Sequence, residues 1–272
     1  MAPQIGIQLG LTDPVTGMMM GNTAEKLARE YGISREEQDQ FALESHQKAA
    51  TAWQEGRLSD ETMAVYPEPA SQAVTEDIGP RSHQNLEALT KLKPYFDRSW
   101  GTVTVGNSCQ ITDGAAALLL MEAGKARALG YEPLGKVRSY AYAGCDPSLM
   151  GLGPVYSTAK ALKQADLKLA DMELIELNEA FAVQVLACLK GFESPPEDGM
   201  QGEAAERLGT VDREKLNVNG GAIALGHPVG ATGARLVLTL LGELERRGQT
   251  IGLATLCIGG GQGGAVIVER AA

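Results

Sequence analysis

The sequence predicts an α/β protein built around a mixed sheet, and two features of its second half predict this. From Pro133 onward, apolar runs of strand length alternate with amphipathic helical stretches, which is the pattern of a layered α/β domain. The last two apolar runs, residues 251–256 and 265–268, are separated by a glycine-rich turn, which indicates an antiparallel pair. The half before Pro133 is mainly helical in its pattern.

The composition is that of a globular, acidic protein. The 272 residues are 44% hydrophobic and 21% charged, with a formal net charge of −10. This charge disfavours nucleic-acid binding, which needs a basic surface. The sequence has no pattern of a secretory signal and no apolar run of membrane-spanning length. We therefore expect a cytoplasmic protein with reduced cysteines, and no metal site because none of the four cysteines forms a CxxC pair.

The half before Pro133 contains one helix with a clear start and a clear end. Ser34 and Glu37 match the capping-box pattern, and the helix should run to Glu55 and end at Gly56. His46 lies on it and is interpreted as a surface or packing histidine. Weaker patterns predict a loop over residues 1–20, helices over 23–31 and 86–92, and strands over 60–66 and 101–107. A longer helix is expected over residues 114–129, capped by Asp113.

The second half supplies the strands and helices of the predicted sheet. Strands are expected over residues 136–143 and 174–177, and helices over 158–165 and 180–190. Residues 191–215 are acidic and contain two prolines, so we expect a surface excursion with a short helix at 204–208. A further amphipathic helix follows Gly230.

Residues 217–264 are rich in glycine and hold the two side chains best suited to chemistry, His227 and Cys257. Glycine lets a backbone or a ligand approach closely, so reactive side chains among glycines indicate a site lined by backbone. A thiol can exchange a proton when a nearby cation lowers its pKa, and the alternative is a buried structural cysteine. An imidazole at a helix entrance can donate to a developing oxyanion, and the alternative is a core or turn histidine.

Asn178 follows the strand expected over residues 174–177, where it can cap the next helix. The glycine-rich run beginning at Gly226 reads GHPVGATG. That spacing does not match the dinucleotide-binding pattern GxGxxG, so a nucleotide-phosphate loop is not predicted.

Three motifs occur in order along the chain: NEAF from Asn178, GGAIALGHPVGATG from Gly220, and CIGGGQGGA from Cys257. Together they resemble the thiolase family of acyl-CoA acyltransferases. The resemblance implies thiolytic cleavage of 3-ketoacyl-CoA, or the reverse Claisen condensation, in fatty-acid metabolism. It also implies that Cys257 moves the proton at the acetyl α-carbon, that His227 and a water on Asn178 stabilise the thioester enolate, and that the Gly259 N–H forms half of a second oxyanion hole.

The resemblance divides the chain into three parts. Residues 1–111 would form the lobe that covers coenzyme A, residues 112–132 a remnant of the N-terminal thiolase domain, and residues 133–272 the C-terminal domain. Coenzyme A is then a substrate, with no cofactor bound tightly. Arg81 would lie near its 3′-phosphate, or be a solvated loop charge, and Met20 and Cys109 would lie along the pantetheine.

One departure from the family pattern affects the expected activity. A full thiolase begins with a further domain that carries the acylated cysteine, and we expect this chain to lack that part. The apolar face over residues 114–129 should then be exposed, which favours a homo-oligomer or association with an N-terminal thiolase domain. The alternatives are a non-catalytic acyl-CoA-binding module, a subunit requiring a separately encoded N-terminal domain, or a truncated reading frame with no function.

Overall fold

A mixed sheet forms the centre of the second half of the chain. The structure, a computed structural model, describes residues 6–69, 72–196 and 207–271. Within them the sheet has the order β1-β4-β3-β2. Its strands are β1 (Gly135–Gly144), β2 (Leu174–Leu177), β3 (Ile251–Ile258) and β4 (Gln262–Arg270). Strands β2 and β3 are parallel and the other pairs are antiparallel, which confirms the predicted mixed sheet.

The helices surround this sheet and build the first lobe. The α-helices of the described residues are α1 (Gly6–Gly10), α2 (Met20–Glu30), α3 (Arg35–Gln54), α4 (Leu86–Thr90), α5 (Ala123–Ala128), α6 (Gly153–Ala165), α7 (Ala182–Glu193), α8 (Ala222–Leu225) and α9 (Thr232–Arg247). The predicted capping box starts α3, since the Ser34 hydroxyl accepts from the Glu37 N–H and the Glu37 carboxylate accepts from the Ser34 N–H. The helix ends at Gln54, as the sequence predicts within one residue.

The two faces of the sheet are covered by different helices. Leu253 on β3 belongs to the larger core, with side chains of α6 and α7. Its neighbour Ala254 points to the opposite face, where Leu236, Leu240 and Leu244 of α9 pack. Residues of α2 and α3 also belong to the larger core.

The predicted division of the chain into three parts, with boundaries at residues 111/112 and 132/133, stays a prediction.

Two strands predicted in the first lobe are wrong because other hydrogen bonds occupy backbone groups that a strand would pair. Over residues 101–107, the Glu25 carboxylate accepts from the backbone of Thr102 and Val103, at 2.9 Å for the shorter bond to each. Over residues 60–66, a single helical turn bonds the Thr62 N–H to the Ser59 carbonyl, and only Val65 pairs, with Val74. The short helix α1 also replaces part of the loop predicted over residues 1–20.

The helix predicted over residues 114–129 is wrong for most of its length. Residues 114–122 have no regular secondary structure, and α5 begins only at Ala123, capped by Glu122 instead of Asp113. Short helices depend on packing of an apolar face. Here Leu119 and Leu120 are 75% and 73% exposed, so no such packing stabilises one. The short helix predicted at 204–208 falls largely on residues that the structure does not describe.

No helix among the described residues has the length and apolar character needed to cross a membrane.

Candidate active site

Asn178 and Cys257 reach the same edge of the sheet. Because β2 and β3 are parallel and hydrogen-bonded, their carboxyl ends lie side by side. Asn178 directly follows β2, and its backbone N–H donates to the Thr255 carbonyl at 3.0 Å. Cys257 lies two residues beyond Thr255. The strand pair therefore delivers both predicted residues to one place.

His227 meets Asn178 at this edge. The Asn178 Nδ2 and His227 Nε2 atoms are 3.3 Å apart, while His227 Nδ1 lies 2.6 Å from the Thr232 hydroxyl. Asn178 does not cap the next helix, because Phe181 occupies the N-cap position of α7. Its Oδ1 atom is buried and has no hydrogen-bond partner in the structure, which is rare for an amide oxygen and indicates a site for a small hydrogen-bond donor.

The His227 imidazole is neutral at physiological pH. Burial, with a smaller contribution from the positive charge of Arg235, lowers its pKa to about 4. A neutral imidazole carries one N–H proton, on either Nδ1 or Nε2. The hydrogen bonds around the ring decide which of the two nitrogens carries it.

A buried polar network holds the loops that present these residues. The Glu179 carboxylate accepts from the Ser45 hydroxyl at 2.6 Å, from Asn217 Nδ2 at 2.8 Å and from the Ile223 N–H at 3.2 Å. Asn217 also bonds both the N–H and the carbonyl of Leu177 in β2. Burial raises the pKa of Glu179. The network ties helix α3, strand β2 and the segment leading to His227 into one unit.

The Cys257 thiol is protonated in this setting. The side chain is 7% exposed, and burial raises its pKa to about 12, with the nearby Cys109 and Cys145 thiols adding to the effect. A backbone hydrogen bond lowers the pKa of Cys257, but burial outweighs it, and no cation among the described residues contributes to a lowering. Cys257 therefore holds a proton that it can donate, and its thiolate is a strong base once that proton has left.

Two of the three residues predicted to contact coenzyme A lie beside Cys257. A Cβ atom built on Gly259 would stand 3.8 Å from the Met20 sulfur, which places α2 against the turn after Cys257. The Cys109 thiol lies close enough to Cys257 to raise the pKa of Cys257, and the Cys109 N–H donates to the Ala180 carbonyl at 3.0 Å. Arg81 is exposed, and its N–H donates to His46 Nδ1 at 3.2 Å. The predicted contacts of all three with coenzyme A stay predictions.

An open groove of about 440 Å³ begins immediately after His227. Its walls are residues 112–116 on one side and residues 228–231 on the other. His227 itself is half-buried, while Asn178 and Cys257 are buried.

Sequence reasoning missed the residues that support this site. Thr232 lies five residues after His227, at the first position of α9, and is 1% exposed. Ser45 and Asn217 are far from Glu179 in the sequence. The sequence had one local signal, an asparagine before a glycine-rich run, which favours a left-handed backbone conformation. Asn217 does adopt a φ of 45°, which asparagine tolerates better than most residues. The distant pairings had no sequence signal.

Comparison with known proteins identifies related chains. The family model "Thiolase, C-terminal domain" matches residues 131–270, and "Thiolase, N-terminal domain" matches residues 2–124. A 3-ketoacyl-CoA thiolase of Yersinia enterocolitica is 50% identical over 255 residues, which are 93% of this chain and 58% of the relative. A second, from Yersinia pestis, matches with the same identity and coverage. The chain thus spans 58% of the length of these curated relatives.

Solved structures agree with these matches. The acetyl-CoA acetyltransferase of Bacillus anthracis has a TM-score of 0.89 and 40% identity, and the match covers 100% of this chain and 65% of that one. Human mitochondrial 3-ketoacyl-CoA thiolase in complex with CoA has a TM-score of 0.86 and 38% identity. That match covers 99% of this chain and 65% of the human one.

Proposed function

The chain belongs to the thiolase family, and from that premise we propose that it supplies the carbanion-forming site of an acyl-CoA acyltransferase. The reaction is thiolysis of 3-ketoacyl-CoA or the reverse condensation, in fatty-acid metabolism, with coenzyme A as a substrate. The two Yersinia relatives, which are 3-ketoacyl-CoA thiolases, and the CoA complex of the human enzyme support this assignment.

The unpartnered Oδ1 atom of Asn178 is the observation that carries the proposal. A buried acceptor beside an imidazole is suited to hold a water, whose second hydrogen can point at a developing oxyanion. Asn178 and His227 would then stabilise the thioester enolate together. A donor aimed at such an oxygen is worth roughly 3–4 kcal/mol in other enzymes.

Cys257 completes this half of the reaction. A nucleophilic cysteine attacks the 3-keto carbon, the C2–C3 bond breaks, and the acyl group stays on that cysteine as a thioester. The electron pair of the broken bond forms the acetyl-CoA enolate, which takes the proton of the Cys257 thiol and leaves as acetyl-CoA. The Cys257 thiolate then takes the proton of the incoming coenzyme A thiol, whose sulfur attacks the acyl-enzyme. The raised pKa of Cys257 suits this role, because it narrows the difference in proton affinity between sulfur and the α-carbon.

We place the acylated cysteine outside the described thiols. Burial raises the pKa of Cys109 to about 11 and of Cys145 to about 12, and it also raises the pKa of Cys188. A nucleophilic cysteine needs the opposite shift. The proposed reaction therefore needs a cysteine that these relatives would supply in the remaining share of their length.

A chimera tests this function. This chain replaces the matching 58% of the Yersinia enterocolitica thiolase, and thiolysis of acetoacetyl-CoA is measured. We expect turnover by the chimera and negligible turnover by the 272-residue chain alone. A folded chimera that binds coenzyme A but does not turn over would favour the non-catalytic binding module.

A further inference from the structure

Each ring nitrogen of His227 has one polar partner, Thr232 at Nδ1 and Asn178 at Nε2. The Thr232 hydroxyl donates to the Pro228 carbonyl at 3.1 Å. The same oxygen lies 2.6 Å from His227 Nδ1. On the other side of the ring, Asn178 Nδ2 lies 3.3 Å from His227 Nε2.

Counting protons points to one tautomer of this ring. A hydroxyl has one proton, and when that proton lies on the Pro228 carbonyl, the Thr232 oxygen accepts from the imidazole. Nδ1 must then carry the ring proton. Nε2 is left with its lone pair, which accepts from the Asn178 amide N–H.

We propose that Thr232 is a positioning residue that holds His227 in the Nδ1–H tautomer and turns the basic Nε2 atom toward the active site. Thr232 is suited to this because it is 1% exposed and its backbone N–H also donates to the Pro228 carbonyl, at 3.0 Å. The hydroxyl therefore has a fixed position relative to the ring. The functional part of this inference rests on the proposed function.

The tautomer has a consequence for the order of events. A bare Nε2 atom accepts a proton, and it can donate to the enolate oxygen only after it has taken one up. The resting site therefore offers the Asn178-bound water as its ready donor, and His227 joins once it is protonated. The same tautomer also fixes the Asn178 amide, with Nδ2 toward the ring and Oδ1 toward the water position.

A second buried histidine provides an internal control with the opposite tautomer. His46 is 2% exposed, and its Nδ1 atom accepts from the Arg81 backbone N–H. His46 must therefore carry its proton on Nε2. The remaining histidine, His83, is exposed. The three rings of the chain thus have three distinct environments.

The experiment is long-range ¹H–¹⁵N correlation spectroscopy of the histidine rings in the whole 272-residue chain at neutral pH. Burial of the ring, with a smaller contribution from the positive charge of Arg235, lowers the pKa of His227 and keeps it neutral there. We expect the Nδ1–H pattern for His227 and the Nε2–H pattern for His46. An Nε2–H pattern for His227 in the unsubstituted chain overturns the proposal without any variant, and it leaves the proposed acyltransferase function untouched.

Two variants assign the effect to the hydroxyl. Thr232→Val keeps the shape but removes the acceptor, so His227 should shift to the Nε2–H form, while Thr232→Ser should keep the Nδ1–H form. His46 should not change in either. An unchanged His227 pattern in folded Thr232→Val would show that Thr232 does not set the tautomer. If Thr232→Val does not fold, the unsubstituted chain and Thr232→Ser decide, because both must show Nδ1–H.

Discussion

The loops that present Asn178 and His227 and the segment over residues 111–134 are built in opposite ways. In the site loops, polar side chains are buried and bonded to each other, as at Glu179 and Asn217. In the segment, large apolar side chains face solvent, and Ile111 is 84% exposed. Such an arrangement is unusual for a surface without a partner. The difference teaches that the described chain preorganises the proposed carbanion site by itself, while the segment over residues 111–134 leaves many of its large apolar side chains exposed.

Strand β1 also exposes large side chains to solvent, as the segment over residues 111–134 does. It pairs only with β4 in the described sheet, and Tyr140 and Tyr142 on it are 62% and 66% exposed. The site loops and the segment meet at the groove beside His227, where residues 112–116 face residues 228–231.

The largest effect is expected at the site itself. In the Yersinia chimera, His227→Ala and Asn178→Ala should each lower kcat by roughly 100- to 1,000-fold, because each removes stabilisation of the enolate oxygen. Affinity for coenzyme A should change little, as judged by calorimetry. The matched control is His83→Ala, which removes an exposed histidine and should keep full turnover. Equal losses in affinity and turnover would mean that the two residues shape the binding site instead.

The buried network should give the largest effect on stability. Glu179→Ala leaves the Ser45, Asn217 and Ile223 donors unpaired, and we expect the free energy of unfolding to fall by roughly 3 kcal/mol or more. Urea denaturation measures this. The exposed Glu245→Ala should stay within about 0.5 kcal/mol of the unsubstituted chain. A small loss in Glu179→Ala would show that the site loops are not held by this network.

The buried histidines should make the chain less stable in acid. Burial lowers the pKa of His46 to about 4, below its unfolded value of 6.5. Between these values the unfolded chain binds more protons, so stability is fully present above about pH 6.5 and is lost as the pH falls toward 4. His46→Gln should flatten this part of the stability profile, and an unchanged slope would mean that His46 titrates normally in the folded chain.

The exposed segment should give the smallest effect on stability. Leu119→Ser and Leu120→Ser remove apolar surface that is already exposed, so unfolding free energies should change by less than about 0.5 kcal/mol. The same substitutions should reduce binding of a hydrophobic dye and association of the chain, measured by fluorescence and light scattering. A loss of several kcal/mol would show that the segment packs in solution.

The sequence predicts best where local patterns and tertiary packing agree. Strand β2 matches its predicted bounds, and α3 starts at its predicted cap, because period and capping are local signals. The helix predicted over residues 114–129 failed over most of its length because Leu119 and Leu120 find no packing among the described residues, and an apolar pattern alone does not stabilise a helix. Thr232 could not be predicted, because its role depends on where His227 places its ring.

The central claim is that Cys257 serves carbon–carbon bond chemistry and not acylation. The most direct measurement compares two steps in the Cys257→Ala chimera. Mass spectrometry follows acetyl transfer from acetyl-CoA to the enzyme, and the formation of acetoacetyl-CoA follows condensation. We predict that Cys257→Ala accepts the acetyl group at close to the unsubstituted rate but does not condense. Equal loss of both steps would contradict the account and leave Cys257 as a structural cysteine.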